Sequence, residues 1–323
     1  MPAARRSSRR RFDDADWRPQ TVVHHPPHDD AAGPAPDDDP DDHHDHHDHH
    51  DRDDPDHAEP AWSTYRDAQR GPTPLPPWVV TDPRAIDVDL GVLKTGKEAD
   101  VSLVERAVSD DVRDVVGARR TLMAVKRYRS AEHRMFHRDA GYLEGRRVRK
   151  SREMRAMATR TDYGRELIAG QWASAEFAVL SLLWRRGAAV PYPVQLHGNE
   201  LMMEFIGTRD GVAAPRLAQL RPGREDGIDL YRQTFAVLRD LADAGYAHGD
   251  LSPYNLLVHD GRLVVIDVPQ AVDLVGNPQG FEYLRRDCAN ICRWFASHGV
   301  AHADEHDLQQ RLLRSVPGLE RYA

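Results

Sequence analysis

Cysteine is nearly missing from this 323-residue sequence, which contains only Cys288 and Cys292. Their spacing of four puts both on one face of the same expected helix, where two sulfurs do not meet in a disulfide. A fold without disulfides suits a reducing compartment. No run approaches the roughly 18 apolar residues that a spanning helix requires, so no membrane segment is expected. The N-terminus carries arginines without the apolar stretch of a secretory leader. Taken together, these absences lead us to expect a soluble cytoplasmic protein with no membrane partner.

Large apolar residues are also scarce over residues 1–60, which are rich in Pro, Asp and His. Such a segment cannot bury enough surface to offset its ordering entropy and reads as a disordered tail. Residues 28–57 hold thirteen Asp and one Arg, a formal charge of −12, while residues 1–27 carry +3. The whole chain sums to −8, which leaves +1 for residues 58–323, so the acidic balance belongs to the tail. The tract His43–His50 (HHDHHDHH) has imidazole and carboxylate ligands suited to Zn2+ or Ni2+. Its plainer reading is a solvated low-complexity stretch with incidental metal affinity.

The texture then changes. Residues 61–84 read as a linker and lead-in that includes the Pro-rich GPTPLPP at 71–77, and folded-domain patterning begins near Ile86. Gly91–Val104 reads as strand, glycine turn, strand, and Thr121–Tyr128 (TLMAVKRY) as a further strand. Trp172–Trp184 and Leu230–Ala244 read as amphipathic helices, with Leu201–Ile206 a short buried strand between them. Leu256–Val258 and Leu263–Ile266 flank Asp260-Gly261, a hairpin signal. From Tyr283 the chain is helical in character. The expected fold is α+β and two-lobed, with a strand-rich lobe over residues 85–207 and a helix-rich one over residues 208–323. A cleft between two lobes is a natural small-molecule site.

The chemistry concentrates in His248-Gly-Asp-Leu-Ser-Pro-Tyr-Asn255 and in the Ile266-Asp267 that ends the following hairpin. Phosphoryl transfer requires a carboxylate beside the attacking hydroxyl, oxygen ligands for Mg2+, and a cation on the nucleotide phosphates. Asp250 can orient or deprotonate the hydroxyl. Asn255 offers an amide oxygen to a hard cation, and the hairpin returns Asp267 beside it. Singly these residues cap turns and end strands as often as they catalyse; the combination is what points to function. Lys126 sits on a Met-Ala-Val-Lys strand that would hold its stem while the ammonium reaches phosphate, unless it is an ordinary exposed strand lysine. Glu176, on the following helix, is placed by chain order to pair with it, or is a solvated helix charge. In the loop Lys94–Ala99, Gly96 permits close backbone approach, and Thr95 and Lys97 have groups that can meet phosphates. That loop is otherwise a plain hairpin turn.

At these residues the sequence resembles the RIO-type atypical protein kinases, type-one branch. KTGKEADV at 94–101, AVK at 124–126, MEFIG at 203–207, HGDLSPYN at 248–255 and IDVPQAV at 266–272 carry the resemblance, over roughly residues 80–300. It implies a trimmed two-lobed kinase that uses ATP and Mg2+, with Mn2+ as a substitute. Lys126 would contact the α- and β-phosphates with Glu176 as its helix partner. Asp250 would be the catalytic aspartate, and Asn255 and Asp267 would hold the metal. Met203, Glu204 and Ile206 would form the hinge strand, with the backbone of Glu204 and Ile206 reading adenine. The sequence departs from ordinary kinases where Gly249 stands in place of Arg and Val268-Pro269 in place of Phe-Gly. Both departures remove the usual activation-loop switch, so a metal site ordered without phosphorylation is expected.

Between Lys126 and Arg165 thirteen Lys or Arg face five acidic residues, with Gly145-Arg-Arg-Val-Arg-Lys150 at the centre. The insert 127–165 reads either as a solvated loop or as a contact for RNA or the small ribosomal subunit. The leading function is a serine/threonine protein kinase acting on a protein or on itself. The alternatives are a small-molecule kinase of the aminoglycoside type, whose second lobe carries a similar loop, and an ATPase switch on ribosomal particles.

Overall fold

In the computed structural model, residues 61–129 and 162–318 are described. The chain divides into two units, Met1–Glu59 and Pro60–Ala323, and all described residues lie in the second. The acidic tail with its histidine tract, and residues 130–161 of the basic insert with its expected RNA or ribosome contact, lie outside the described residues.

The first lobe is an antiparallel sheet. Its strands are β1 (Ala61–Trp62), β2 (Gln69–Arg70), β3 (Ile86–Thr95), β4 (Ala99–Ala107), β5 (Arg120–Tyr128), β6 (Pro193–His197) and β7 (Glu200–Glu204). Their spatial order is β1-β3-β4-β5-β7-β6-β2. Period-two patterning makes β4 and β5 strands, and each buries side chains on both faces. One face packs on helix α1 (Asp162–Arg185), which begins well before the expected Trp172. Helix α1 is not amphipathic as expected: it is apolar around most of its circumference, because the sheet covers one side and the second lobe the other. By length and composition alone, Leu167–Arg185 is apolar enough to cross a membrane, but it serves here as a core helix.

Residues 61–84, expected as a linker, are instead part of this lobe. β1 pairs with β3 at one sheet edge and β2 with β6 at the other, so the intervening residues cross the sheet like a strap. The apolar anchors Tyr65, Val79 and Trp78 pack with Val104, Met123, Val125, Tyr192 and Met202 in a second core. The prolines fit because few ladder bonds are needed here; Gly71 N–H donates to Val194 O (2.9 Å) and Tyr192 Oη to Pro72 O (2.9 Å). Below this cluster Arg106, 0% exposed, forms a two-pronged pair with Asp87 (2.7 Å for each bond) and donates to Gln195 (2.9 Å). A buried guanidinium is tolerated because every prong finds an acceptor.

The second lobe contains α2 (Arg224–Asp243), β8 (Tyr246–Ala247), the hairpin β9 (Leu256–His259) and β10 (Arg262–Val265), β11 (Val272–Asp273), α3 (Gly280–Ser297) and α4 (Glu305–Leu313). Asp260 (φ 49°) and Gly261 (φ 72°) turn the hairpin in the left-handed region, as the Asp-Gly signal requires. Helices α2 and α3 bury Leu230, Tyr231, Leu238, Leu241, Leu284, Ile291 and Phe295 against each other and the hairpin. Full burial of each such side chain stabilises the fold by roughly 1.5–3 kcal/mol. The same core runs without a break into the first lobe through Leu217, Leu251, Met203, Leu201, Phe177 and Tyr128.

Candidate active site

Lys126 lies at the centre of the sheet, on β5 between β4 and β7. Its stem is buried by neighbours on both strands, which leaves the ammonium as the only end able to seek partners. It donates to Glu176 Oε1 (3.1 Å), approaches Oε2 (2.9 Å), and donates to Asp267 Oδ1 (2.6 Å). Burial works against the charged ammonium, but the Glu176 and Asp267 carboxylates outweigh it and raise the Lys126 pKa above its ordinary value. The pairing of Lys126 with Glu176, expected from chain order alone, is present.

Glu176 is 1% exposed and fully engaged. Besides Lys126 it accepts from the Tyr128 hydroxyl and from Val268 N–H (3.2 Å). Burial, followed by the Glu176 charge, pushes the Tyr128 phenol well up, so it stays a donor. Tyr128 stands two residues beyond Lys126 on the same strand face, and the Lys126 ammonium lies 5.1 Å from its ring centroid. One carboxylate thus ties together the sheet, helix α1 and the segment after Asp267. Val268 is itself buried, β11 pairs with β8, and Leu274 N–H donates to Gly245 O (2.8 Å). Asp267 to Leu274 is therefore bonded and packed at both ends.

Asp267 adopts φ 65°, a left-handed conformation uncommon for a residue with a side chain. The strain is confined to the point where the chain leaves the hairpin and turns its carboxylate to Lys126. Burial tends to raise this carboxyl, but the charge and hydrogen bond of Lys126, with Lys94 and His248, outweigh it and hold the pKa below the usual range. The hairpin returns Asp267 beside Asn255 through Ile266 N–H donating to Asn255 O (2.9 Å). Asn255 Nδ2 donates to Asp250 O (3.1 Å), which leaves its amide oxygen as an acceptor. Asp250, Asn255 and Asp267 are thus brought to one place, with Asp250 exposed at the loop surface.

The loop bearing Asp250 is held from α3, a connection the sequence did not reveal. The Asp287 carboxylate, 1% exposed, accepts from Gly249 N–H (2.8 Å) and Leu251 N–H (2.9 Å). Burial raises the Asp287 pKa, opposed by His248 and the two backbone donors. Arg286 donates to Gly249 O and Asn290 to Leu251 O (3.2 Å). Gly249 has φ 87°, and a Cβ there would lie 2.3 Å from Gln270 O, so only glycine fits between the catalytic loop and the following segment.

The glycine-turn loop departs in part from expectation. Gly96 N–H closes the turn on Ala99 O (3.0 Å), and Lys97 is exposed at its tip. Thr95 pairs with Asp100, and its hydroxyl is taken by that carboxylate rather than turned to the cleft. On the hinge strand, Met203 is buried, Glu204 N–H donates to Tyr192 O (2.8 Å), and Ile206 O accepts from Ala214 N–H (2.9 Å). The Ile206 N–H takes no part in these bonds. Val101 and Ala124 line the same ladder positions as Lys126 and Met203.

A magnesium–nucleotide complex fits this donor set. Mg2+ is held by one or two protein oxygens together with substrate phosphates and waters. Asn255 and Asp267 supply two such groups, and among the described residues no cluster of three His, Cys, Asp or Glu competes for the ion.

A strand lysine paired to a helix glutamate, facing a loop aspartate, an asparagine and a strand-end aspartate across a two-lobed cleft, defines a protein-kinase-like phosphotransferase fold. The RIO domain family matches residues 111–308. The RIO-type serine/threonine-protein kinase Rio1 of Haloferax volcanii is 39% identical over 226 residues, covering 70% of this chain and 69% of its own length. Human serine/threonine-protein kinase RIO3 is 29% identical across 81% of this chain and 48% of its own. Yeast RIO1 is 30% identical across 74% and 50%. The chain therefore belongs to the RIO family of atypical serine/threonine kinases, in its Rio1-like branch, although it spans only about half of these two eukaryotic relatives. Among solved structures it is similar to the Rio2 kinase–ADP/Mg2+–phosphoaspartate complex from Chaetomium thermophilum, at TM-score 0.48 and 21% identity, covering 72% of this chain and 66% of that one.

Proposed function

We propose that this protein is an ATP- and Mg2+-dependent serine/threonine protein kinase that transfers the γ-phosphoryl group to a Ser or Thr hydroxyl of another protein or of itself. The observation that carries this reading is Lys126, held between Glu176 and Asp267 at 2.6–3.1 Å on the wall of the cleft. Glu176 fixes the lysine in place, so the ammonium can give up Asp267 for nucleotide phosphate without losing its anchor. Asp250 accepts a hydrogen bond from the acceptor hydroxyl and takes its proton as the new P–O bond forms. Asp287 holds the Asp250 backbone in register for that step. Asn255 and Asp267 would hold the metal, and the Ile206 N–H with the Glu204 backbone would meet adenine on the face that carries Val101 and Ala124. Mg2+, when bound, neutralises charge on the phosphate oxygens and the departing ADP.

The test is incubation with γ-labelled ATP and Mg2+, following label into protein, inorganic phosphate and added small-molecule alcohols. Label in protein from wild type, reduced by about 100-fold or more in Asp250→Ala and Asp267→Ala, is the expected result. Label in free phosphate alone would define an ATPase. Label in an aminoglycoside would define a small-molecule kinase.

A further inference from the structure

The glycine-turn loop contributes a side chain that its motif did not single out. Lys94 pairs with Val101 on β4, and Val101 pairs with Lys126 on β5. Residues directly opposite in an antiparallel ladder place their side chains on the same face, so Lys94 shares the cleft face with Lys126. Two register irregularities in β3, between Asp89 and Gly91 and between Val92 and Lys94, offset one another, so Lys94 keeps the face that regular alternation from the strand start would give it. The next residue, Thr95, then falls on the opposite face, where its hydroxyl meets Asp100. Among the described residues Lys94 has no hydrogen-bond or salt-bridge partner, whereas Lys126 has two carboxylates.

We propose that the Lys94 ammonium is a second phosphate-binding cation of the site, meeting the terminal phosphates of ATP from the loop while Lys126 meets the chain of phosphates from the sheet. The inference rests on the reading of the cleft as an ATP site. The two lysines are separated by two strand spacings, about 10 Å between backbones, a gap that the mobile stem of Lys94 narrows towards the anchored Lys126 across a triphosphate. A point charge on a mobile stem suits oxygens whose charge changes during transfer, whereas the anchored Lys126 suits those that stay. Lys97, exposed at the hairpin tip, is not on this ladder.

The test is calorimetric titration of wild type, Lys94→Met, Lys94→Arg and Lys97→Met with ATP, ADP and AMP, each with Mg2+ at fixed ionic strength. Lys94→Met is expected to weaken ATP by about tenfold or more and AMP by less than about twofold, with Lys94→Arg restoring most of the loss. Because Lys94 is exposed, its thermal melting curve should overlay that of wild type. Wild type binding ATP with Lys94→Met unchanged overturns this inference while leaving the ATP site standing. Equal losses for ATP and AMP, or a larger loss in Lys97→Met, also overturn it. Wild type binding none of the three nucleotides overturns the underlying function instead.

Discussion

Asp287 and Gly249 are joined by a 2.8 Å hydrogen bond between a carboxylate buried in α3 and the backbone N–H just before Asp250. A second bond, from Leu251 N–H at 2.9 Å, makes Asp287 a bracket around the catalytic loop. Replacing it with alanine strands two buried donors, each costing about 1–3 kcal/mol. Asp287→Ala is therefore expected to lower both denaturant stability and phosphoryl transfer. Asp287→Asn keeps one acceptor and should lie between it and wild type in both measurements.

Gly249 and Gly261 share positive φ, at 87° and 72°, but differ in surroundings. At 261 an added Cβ meets nothing within 4 Å, so Gly261→Ala should cost only the left-handed strain of about 1–2 kcal/mol. At 249 the added Cβ would lie 2.3 Å from Gln270 O, so the loop or the following segment must move. Gly249→Ala should therefore lose far more activity than Gly261→Ala, and urea unfolding of both separates strain from displacement.

Lys126→Met leaves Glu176 buried without its cation. Breaking a buried pair in this way costs about 3–5 kcal/mol, and nucleotide binding should fall with it. Asp267→Asn should cost much less stability, since that side chain is 37% exposed and water screens the change. The order of the two midpoints in urea is the check, and the reverse order would mean that Lys126 is anchored by Asp267 rather than by Glu176.

Tyr128→Phe removes one hydroxyl donor from Glu176 while leaving its volume in place. A loss of about 1–2 kcal/mol is expected, with ATP KM rising as Glu176 and Lys126 gain freedom. Unchanged KM with lowered stability would confine the hydroxyl to packing.

Cys288 and Cys292 are both buried. Burial foremost pushes the Cys292 thiol up to about 11 and raises Cys288 as well. Native protein at pH 8 should therefore ignore a thiol reagent that labels both residues after denaturation. The unfolded chain ionises its thiols first, near their ordinary pKa of about 8.5. Their contribution to stability is full below that pH and declines as pH rises from there towards the folded values. A double Cys→Ala variant should show a shallower decline on that alkaline limb.

The sequence by itself determined the functional loop. Asp250, Asn255 and Asp267 lie within eighteen residues, joined by one Asp-Gly hairpin, and short-range turn chemistry suffices to bring such groups together. Lys126 was legible because a strand holds a lysine stem and leaves its charge to one side. Only the tertiary structure decided the rest, because these contacts join distant segments and leave no local period to read. The bracket from Asp287, the Tyr128 hydroxyl on Glu176 and the strap of residues 61–84 across the sheet are of this kind. The choice between Lys94 and Thr95 for the cleft face is a further case: side chains alternate along a strand, but two irregularities shift β3 against β4 before Lys94 is reached, and only their offsetting in the folded sheet settles which neighbour faces the cleft.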